Sequence, residues 1–498
     1  MRILLASSEA YPYSKTGGLA DMSGALAKFL ARAGHQTALV CPLYGGILER
    51  FPDIRRLDWK LELPLGSKRA AGAVWVRQPQ EGLMVYFIEN RDFFYRDGLY
   101  GANGTDYADN AERFIFFSKA IVNLARYLPW QPQLLHLHDW QTGLAAALVR
   151  HQISQEGWNS APAVCMTIHN LSYQGRFGPA KFALTNLPAD YFHFTGLEFY
   201  GAMNCLKAGI AYADSLTTVS PRYAREITTE SLGCGLDGIL RHRQAALTGI
   251  LNGVDYDEWT TEGNPCLSAP YSAADLKGKQ TNKLQLQKEL GLALEPDTPL
   301  FGTVSRLEKQ KGMDIQLGAL QEMLASNMQF VLLGSGKAEF EAAFRALAER
   351  HRGKCAVRIG FDNCLSHRIE AGCDFYLMPS NFEPCGLNQM YSLRYGTVPI
   401  VRVTGGLDDS VTDACEDQSR ANGIKFMEYS VRALAKAIRK ALVLYGQKEL
   451  LEHYQRNGMA KDFSWERTVA EYQKVYHRLL AARQRTIQQT HCSAIPGQ

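Results

Sequence analysis

Two segments of the sequence combine basic residues with features that are typical of anion-binding loops. The first, SKTGGLAD at 14–21, contains Lys15, Thr16, Gly17, Gly18 and Asp21. Glycines just before a helix let a ligand approach the backbone, and the N–H groups at a helix start attract anionic oxygens. The pattern favours a phosphate or carboxylate ligand beside Lys15. A turn that merely carries a surface lysine is the alternative interpretation.

The second charged loop, RLEKQKG at 306–312, follows an apolar run and precedes an amphipathic segment. Arg306 can fork two phosphate oxygens, while Lys311 supplies a compact charge. A cation 4 Å from a phosphate gains on the order of 4 kcal/mol at an effective dielectric constant near 20, before desolvation. The pair would suit a diphosphate without a metal. A solvated charged turn remains the alternative.

The segment PSNFEPCGL at 379–387 is the most specific string in the chain. It places Glu383 in a loop after an apolar run, followed by Cys385 and by Gly386 and Leu387 at the start of a helix-like segment. A carboxylate next to a helix start is suited to binding sugar hydroxyls and to balancing charge at an electron-poor carbon. An ordinary helix-entry loop is the competing interpretation.

Further along the chain, Thr404 and Gly405 begin the string TGGLDD, which repeats the TGGL of the first loop. Two similar sheets that present similar loops to one ligand would explain the echo, although four residues can also match by chance. Both TGGL loops follow apolar runs that are expected to be strands. Open parallel sheets bind ligands at the carboxyl ends of their strands.

Histidines follow two further apolar runs. The string HLHDW at 136–140 places two histidines on one face of a strand, before Asp139, and invites a metal interpretation. No second cluster of histidine or cysteine at ligand spacing supports a metal, so we predict none. His169 and Asn170 end another apolar run and fall at the expected ligand edge, where a structural histidine is the alternative.

These loops need strands to hold them, and short apolar runs alternate with amphipathic segments along nearly the whole chain. This rhythm predicts parallel sheets with helices on both faces, in two successive series that meet near residue 252. The expected strands are 2–6, 37–41, 82–88, 134–138, 163–169 and 215–220, then 300–305, 329–334, 356–361, 374–379 and 398–403. Ser464 is a plausible N-cap for a last helix.

Composition sets the outer limits. The chain has 498 residues, 46% of them hydrophobic, and a net charge of +4. Such a balance gives no basic surface for nucleic acid or an anionic membrane, so any anion must be held locally. The 11 cysteines include no C-x-x-C pair, which disfavours a disulfide framework and a zinc ribbon and favours a reducing cytoplasm. No apolar stretch predicts a leader or a membrane span.

Together, the motifs KTGGLAD, HLHDWQ, TIHN, ILNGVD, RLEKQKG, PSNFEPCGL and VTGGLDD resemble the bacterial glycogen synthases and plant starch synthases of glycosyltransferase family 5. The resemblance runs in order over residues 1 to about 480. It implies a GT-B fold, an α/β architecture of two Rossmann-like, doubly wound parallel-sheet domains facing a central cleft. It also implies retaining transfer of glucose from ADP-glucose to the non-reducing end of an α-1,4-glucan. We predict no cofactor.

The resemblance further implies roles for single residues. Lys15, Gly17 and Gly18 match the loop that meets the donor phosphates, and Arg306 and Lys311 match the diphosphate clamp. Positions expected against the sugar, the base or the acceptor are Asp139, His169, Asn252, Phe361, Glu383, Cys385, Gly386 and Leu387. Of these and the charged loops, we expect Glu383, Lys15, His169, Arg306 and Lys311 to act in catalysis.

Two positions depart from the family pattern. Gln141 stands where a histidine often follows H-D-W, so a catalytic role there is not expected, and Phe361 replaces a frequent tyrosine at the base-stacking position. The second change keeps stacking but removes a hydroxyl, which leaves UDP-glucose open as the donor. The sequence is also compatible with a related transferase that makes sucrose-like or trehalose-like products, and with an inactive glucan-binding protein.

The domain boundaries follow from the same pattern. We expect an acceptor-side domain over 1–251, completed by a helix at 464–484, and a nucleotide-sugar domain over 252–463. Residues 485–498 lack periodicity and are predicted to be a disordered tail. The oligomeric state is not predicted.

Overall fold

A computed structural model describes residues 1–102 and 104–493 and divides the chain into two units. Unit 1 comprises Met1–Val219, Ala224–Ile250 and the chain from Trp465 onward, and unit 2 comprises Ser220–Tyr223 and Leu251–Ser464. The chain therefore leaves unit 1 near residue 250 and returns to it for the last helix.

The strands of unit 1 are β1 (Arg2–Ala6), β2 (Gln36–Pro42), β3 (Arg55–Leu65), β4 (Lys68–Gln80), β5 (Leu83–Glu89), β6 (Gly101–Ala102), β7 (Thr105–Asp106), β8 (Leu134–His138), β9 (Ala163–Ile168), β10 (Arg176–Phe177), β11 (Glu198–Phe199), β12 (Ala202–Asn204), β13 (Ser215–Thr218) and β14 (Leu247–Gly249). The helices over the same stretch are α1 (Gly18–Arg32), α2 (Ile47–Arg50), α3 (Arg91–Phe94), α4 (Asn110–Tyr127), α5 (Trp140–Glu156), α6 (Cys205–Tyr212), α7 (Pro221–Glu226) and α8 (Asp237–His242).

The main sheet of unit 1 has the order β14-β13-β9-β8-β1-β2-β5-β4-β3. Its strands are parallel from β14 to β5, so their carboxyl ends share one edge. β8 and β9 are buried along their whole length, which is why they read as continuous apolar runs rather than as alternating patterns.

The sequence did not predict the hairpin β3–β4, which pairs antiparallel with β5 at the sheet edge. Its strands carry many charged residues, and β3 alternates between exposed and covered positions over only part of its length. An edge strand needs little apolar surface, so its pattern is weaker than that of a central strand.

Unit 2 contains β15 (Leu300–Val304), β16 (Gln329–Gly334), β17 (Cys355–Ile359), β18 (Phe375–Met378), β19 (Val398–Arg402) and β20 (Ile424–Phe426). Its helices are α9 (Lys277–Leu290), α10 (Met313–Met323), α11 (Ala338–Arg350), α12 (Asn363–Gly372), α13 (Asn388–Arg394), α14 (Gly405–Ser410), α15 (Val431–Tyr445) and α16 (Lys448–Ala460).

These strands form one parallel sheet in the order β17-β16-β15-β18-β19-β20. Separate apolar clusters cover its two faces, one around Phe301, Phe330 and Phe375 and another around Leu286 and Tyr376. The expectation of two α/β units with parallel sheets is confirmed. The order places the ends of β15, β18 and β19 next to one another.

The last helix, α17 (Trp465–Ser493), belongs to unit 1. It packs Trp465 on Phe29 and places Tyr476 against His136. The helix continues past residue 484, the end that the sequence predicted, because no glycine or proline interrupts 485–493. Residues 485–493 of the predicted tail are helical, and its remainder, 494–498, lies outside the described residues.

A disulfide joins Cys266 to Cys364 at the start of α12, within unit 2. The sequence disfavoured disulfides because it has no C-x-x-C pair, and this expectation is wrong for these two cysteines, which lie 98 residues apart and form no short-range pattern. The side chain of Asn264 anchors the segment beside Cys266 by donating to the hydroxyl of Tyr395 at 3.0 Å. Eight other cysteines are unpaired in the part of the chain that the structure describes.

Candidate active site

In unit 1, the predicted residues gather at the carboxyl ends of three neighbouring strands. Lys15, Thr16, Gly17 and Gly18 follow β1, Asp139 follows β8, and His169 and Asn170 follow β9, which lie side by side in the order β9-β8-β1. The parallel register brings these loops to one edge of the sheet. The edge is therefore the candidate ligand-binding region of this unit.

Glu9 holds the loop at 14–18 in place through hydrogen bonds. This buried carboxylate accepts from the N–H and hydroxyl of Thr16, at 2.5 and 2.6 Å, from the N–H of Gly17 at 3.3 Å and from the hydroxyl of Tyr100 at 2.6 Å. Glu9 was not among the residues expected at the site, although its position soon after a buried strand was a usable signal. Since Glu9 already occupies two amides at the start of α1, Lys15 is the main positive charge that a ligand would meet there.

The glycines of this loop leave open space. A side chain built at Gly17 or Gly18 would have no atom within 4 Å, so protein packing does not explain either glycine. Lys15 is partly exposed and pairs with Asp21 at 2.7 Å. Burial raises the pKa of Asp21, and the charge of Lys15 only partly offsets this.

Asp139 joins the ends of β8 and β9. Its carboxylate accepts from the backbone N–H of His169 at 2.7 Å, and its own N–H donates to the carbonyl of Thr167 at 3.0 Å. Its φ of 56° and ψ of −174° form a combination that side chains rarely adopt and that costs of order 1–3 kcal/mol. Burial raises the pKa of this carboxyl to about 7. Strained, buried carboxyl groups of this kind cluster at functional sites.

The histidines of HLHDW are buried and have protein partners. His136 contacts the hydroxyl of Tyr476 through Nδ1 at 2.8 Å and that of Thr167 through Nε2 at 2.6 Å, while His138 Nδ1 lies 3.0 Å from His169 Nε2. Among the described residues, no group of three or more histidine, cysteine or acidic side chains is arranged to hold a metal ion.

In unit 2, Lys311 and Glu383 meet. Nζ of Lys311 lies 2.6 Å from Oε2 of Glu383, which also accepts from the hydroxyl of Ser380 at 3.0 Å. The Glu383 side chain is 7% exposed and that of Lys311 is 20% exposed. The loops after β15 and β18 are tied together by a hydrogen bond from the N–H of Asn381 to the carbonyl of Gln310. A carboxylate and an ammonium are thus fixed at the same sheet edge.

Arg306 lies at the end of β15 and remains about half exposed, with Glu308 3.4 Å away. Among the described residues, its guanidinium has only this loose ion pair with a neighbour in the sequence, so little holds it in place. It is available to fork a bidentate anion in the way that the sequence suggested.

The loop with Thr404 and Gly405 packs against the loop with Glu383. A side chain at Gly405 would lie 1.9 Å from the carbonyl oxygen of Glu383, and φ there is +44°. The N–H of Gly406 donates to that carbonyl at 3.2 Å. Gly405 is therefore explained by close packing of two loops, unlike Gly17, despite the shared TGGL string.

Cys385 and Asn252 lie together behind this loop. The backbone of Asn252 hydrogen-bonds to the thiol of Cys385. Burial raises the pKa of this thiol to about 12 and keeps it neutral. Asn252 is buried, and its side-chain oxygen has no hydrogen-bond partner among the described residues. A buried acceptor left open suits a substrate hydroxyl or amine. Gly386 and Leu387 follow Cys385 and lead into α13.

Phe361 stands apart from these groups. It follows β17, two strands away from β15, and it is 85% exposed. Such exposure is unusual for an aromatic side chain and is suited to stacking on a flat ring.

Comparisons with known proteins agree with this architecture. Residues 2–242 match the family described as starch synthase catalytic domain, and residues 288–461 match the family described as glycosyl transferases group 1. A protein named glycogen synthase from Anaeromyxobacter sp. (strain Fw109-5) is 46% identical over 482 residues, covering 97% of this chain and 100% of that protein. Another glycogen synthase, from Syntrophotalea carbinolica, is 44% identical over 96% of this chain and 99% of its own length.

Solved structures give the same result. The catalytic domain of starch synthase IV from Arabidopsis thaliana, solved with ADP and acarbose, matches with a TM-score of 0.88 and 33% identity, over 96% of this chain and 99% of that one. A sucrose-phosphate synthase from Thermosynechococcus elongatus shares the fold at a TM-score of 0.62 and 17% identity, over 96% of this chain and 99% of that one. Its low identity supports the fold alone. Identity of the level seen with the glycogen synthases, over nearly the whole chain, means that the protein belongs to the bacterial glycogen synthase family of GT-B glycosyltransferases.

Proposed function

We propose that the protein is a glycogen synthase that transfers glucose from ADP-glucose to the non-reducing end of an α-1,4-glucan and releases ADP. The observation that carries the proposal is the fixed pair of Lys311 and Glu383 at the carboxyl ends of β15 and β18, in a chain of this family. A cation for the leaving diphosphate and a carboxylate for the sugar are the two charges that the reaction needs.

Unit 2 is assigned to the nucleotide sugar. Arg306 and Lys311 stabilise the diphosphate as the bond between C1 of glucose and the phosphate oxygen breaks. Phe361 stacks on the base, and Asn252 and the segment from Cys385 to Leu387 contact the sugar and phosphates. The Lys311–Glu383 ion pair gives the cation a defined position before the donor binds, which lowers the cost of ordering it.

Unit 1 is assigned mainly to the acceptor glucan. Asp139 and Asn170 supply polar groups at the ends of β8 and β9, while His169 lies against the ring of the transferred glucose. Lys15 adds positive charge for the donor phosphates, and the open space at Gly17 and Gly18 gives a ligand access to the loop. Glu9 holds that loop in shape through Thr16.

The proposed chemistry retains the configuration of C1. As ADP leaves, charge spreads over an oxocarbenium-like sugar, and the 4-hydroxyl of the acceptor attacks from the same face. An oxygen of the leaving phosphate takes the hydroxyl proton. This route requires no covalent enzyme intermediate, and the neutral, buried thiol of Cys385 is unsuited to act as a nucleophile.

No helix in the described part of the chain is long and apolar enough to cross a membrane. We propose the cytoplasm as the site of the reaction, because eight unpaired cysteines among the described residues outweigh the single Cys266–Cys364 bond.

A competition assay tests the proposal. The purified chain is incubated with glycogen and either ADP-glucose or UDP-glucose, and release of ADP or UDP is measured, followed by digestion of the product with an α-1,4-specific amylase. We expect ADP release and amylase-sensitive growth of the glucan. Preference for UDP-glucose would replace the donor, and glucan binding without transfer from any sugar nucleotide would reject the enzyme assignment.

A further inference from the structure

A row of buried imidazoles in unit 1 ends at His169. The rings of His136 and His138 lie 4.2 Å apart between centroids, and those of His138 and His169 lie 5.3 Å apart. His138 is completely buried, and its Nδ1 is 3.0 Å from Nε2 of His169. This contact links a residue of the proposed sugar site to one with no assigned role.

All three rings are held neutral. Burial lowers the pKa of His136 and of His169 to about 3 and that of His138 well below its usual range, with repulsion between neighbouring rings adding to the effect for His136 and His138. A neutral imidazole carries one N–H and one lone pair, so its two nitrogens have opposite roles. In the contact between His138 and His169, one ring must donate and the other must accept.

The other nitrogen of His138 decides which ring donates. Nε2 of His138 is buried and has no hydrogen-bond partner among the described residues. If His169 donated, His138 would carry its proton on Nε2, where the N–H would be stranded. If His138 donates, only a lone pair is left unmatched there. Stranded N–H groups are the rarer defect in protein interiors.

We propose that His138 donates its Nδ1–H to Nε2 of His169 and so fixes His169 as the tautomer that carries its proton on Nδ1. His138 is then a positioning residue. His169 presents a hydrogen-bond donor, rather than an acceptor, to an oxygen of the bound sugar. This consequence rests on the proposed function, whereas the tautomer itself does not.

Nitrogen NMR of the unmodified chain measures the tautomer directly. The protein is labelled with ring-¹⁵N histidine at neutral pH, and the His169 signals are assigned by their loss in His169→Asn. We expect a protonated, pyrrole-type Nδ1 and an unprotonated, pyridine-type Nε2 for His169. A protonated Nε2 on His169 would overturn the proposal, whatever the enzyme turns out to transfer.

Two substitutions test the effect of the contact on turnover. His138→Asn can place an amide N–H where Nδ1 lies, whereas His138→Leu cannot donate at all. We expect His138→Leu to lower kcat with ADP-glucose and glycogen about tenfold, equivalent to about 1.4 kcal/mol, and His138→Asn to recover most of that loss. Equal impairment of both variants would contradict a donor role for His138.

His136→Leu is the matched control, since His136 lies on the same strand, is equally buried and directs its ring nitrogens to Tyr476 and Thr167 rather than to His169. We expect it to lower the midpoint of thermal unfolding at least as much as His138→Leu, with a smaller effect on kcat. Parallel losses of kcat and stability in the two leucine variants would show that His138 is merely structural.

Discussion

Several hydrogen bonds fix Glu383 in place, so a substitution can remove its charge while its size and position are kept. Its carboxylate accepts from Lys311 and Ser380, and its backbone carbonyl accepts from the N–H of Gly406. Replacing one carboxylate oxygen by an amide nitrogen keeps the volume and the backbone contacts. The substitution Glu383→Gln therefore changes mainly the electrostatics around Lys311 and the sugar.

We predict that Glu383→Gln lowers kcat at saturating ADP-glucose by about 100-fold or more, as expected when a charge that stabilises the transition state is lost, while the midpoint of thermal unfolding changes little. Ser380→Ala is the control, because it removes one hydrogen bond and leaves the charge. It should cost less than about tenfold in kcat. Near-normal turnover of Glu383→Gln would refute the role assigned to this carboxylate.

Glu370 in α12 offers a pH-dependent test of stability away from the proposed chemistry. Burial raises the pKa of this carboxyl to about 8, although Ser392 donates to it at 2.7 Å. In the unfolded chain the group ionises near its ordinary value of 4.5. Between these two values the folded state retains a proton that the unfolded state releases, so Glu370 lowers the free energy of unfolding as pH rises.

The variant Glu370→Gln cannot ionise and should escape this loss. We predict that its free energy of unfolding, relative to the parent, increases from about pH 5 to about pH 8 by on the order of 4 kcal/mol, measured by urea denaturation at several pH values. A constant difference across that range would mean that Glu370 does not have the raised pKa.

At the scale of elements, the two TGGL loops show how one sequence string serves two purposes. Gly17 sits before α1 in open space with an extended backbone, whereas Gly405 sits at the start of α14 against the carbonyl of Glu383 with a positive φ. The first glycine leaves room for a ligand, and the second lets two loops of the protein touch. The two positions form a matched pair for substitution.

We predict that Gly17→Ala keeps the stability of the parent within about 0.5 kcal/mol but raises the KM for ADP-glucose, because the added methyl group enters the ligand space. Gly405→Ala should instead destabilise the protein by on the order of 3 kcal/mol, from the clash and from the strained φ. Thermal unfolding and donor saturation curves of both variants check this. The reverse pattern would mean that the roles of the two loops were exchanged.

Features that depend on a local sequence pattern were predictable, whereas those that depend on contacts between distant residues were not. Strands such as 163–169 and 329–334 were predictable because buried parallel strands form continuous apolar runs, and loops at strand ends then located Lys15, Arg306 and Glu383. Glu9 and His138 were not assigned roles, since their importance lies in hydrogen bonds to residues that only the folded sheet brings near. The packing of Gly405 likewise depends on a contact between distant loops.

At the scale of the whole molecule, the Cys266–Cys364 bond closes a long loop within unit 2 and should stabilise that unit by restricting its unfolded chain. We predict that Cys266→Ser lowers the free energy of unfolding by about 2 to 4 kcal/mol. A reducing agent should have the same effect on the parent and none on the variant, as measured by calorimetry with and without dithiothreitol. Cys355→Ser, at a buried unpaired cysteine of unit 2, is the control and should keep its response to reductant.

The return of the chain to unit 1 through α17 has a consequence for biosynthesis. During translation, residues 1–250 emerge from the ribosome long before Trp465 is synthesised. The surfaces that α17 covers, including the rings of Phe29 and His136, therefore stay exposed while all of unit 2 is being made. Unit 2 can fold as soon as residue 464 emerges, whereas the domain begun first is completed last. The nascent chain is therefore most exposed to aggregation and to chaperones during synthesis of its second half.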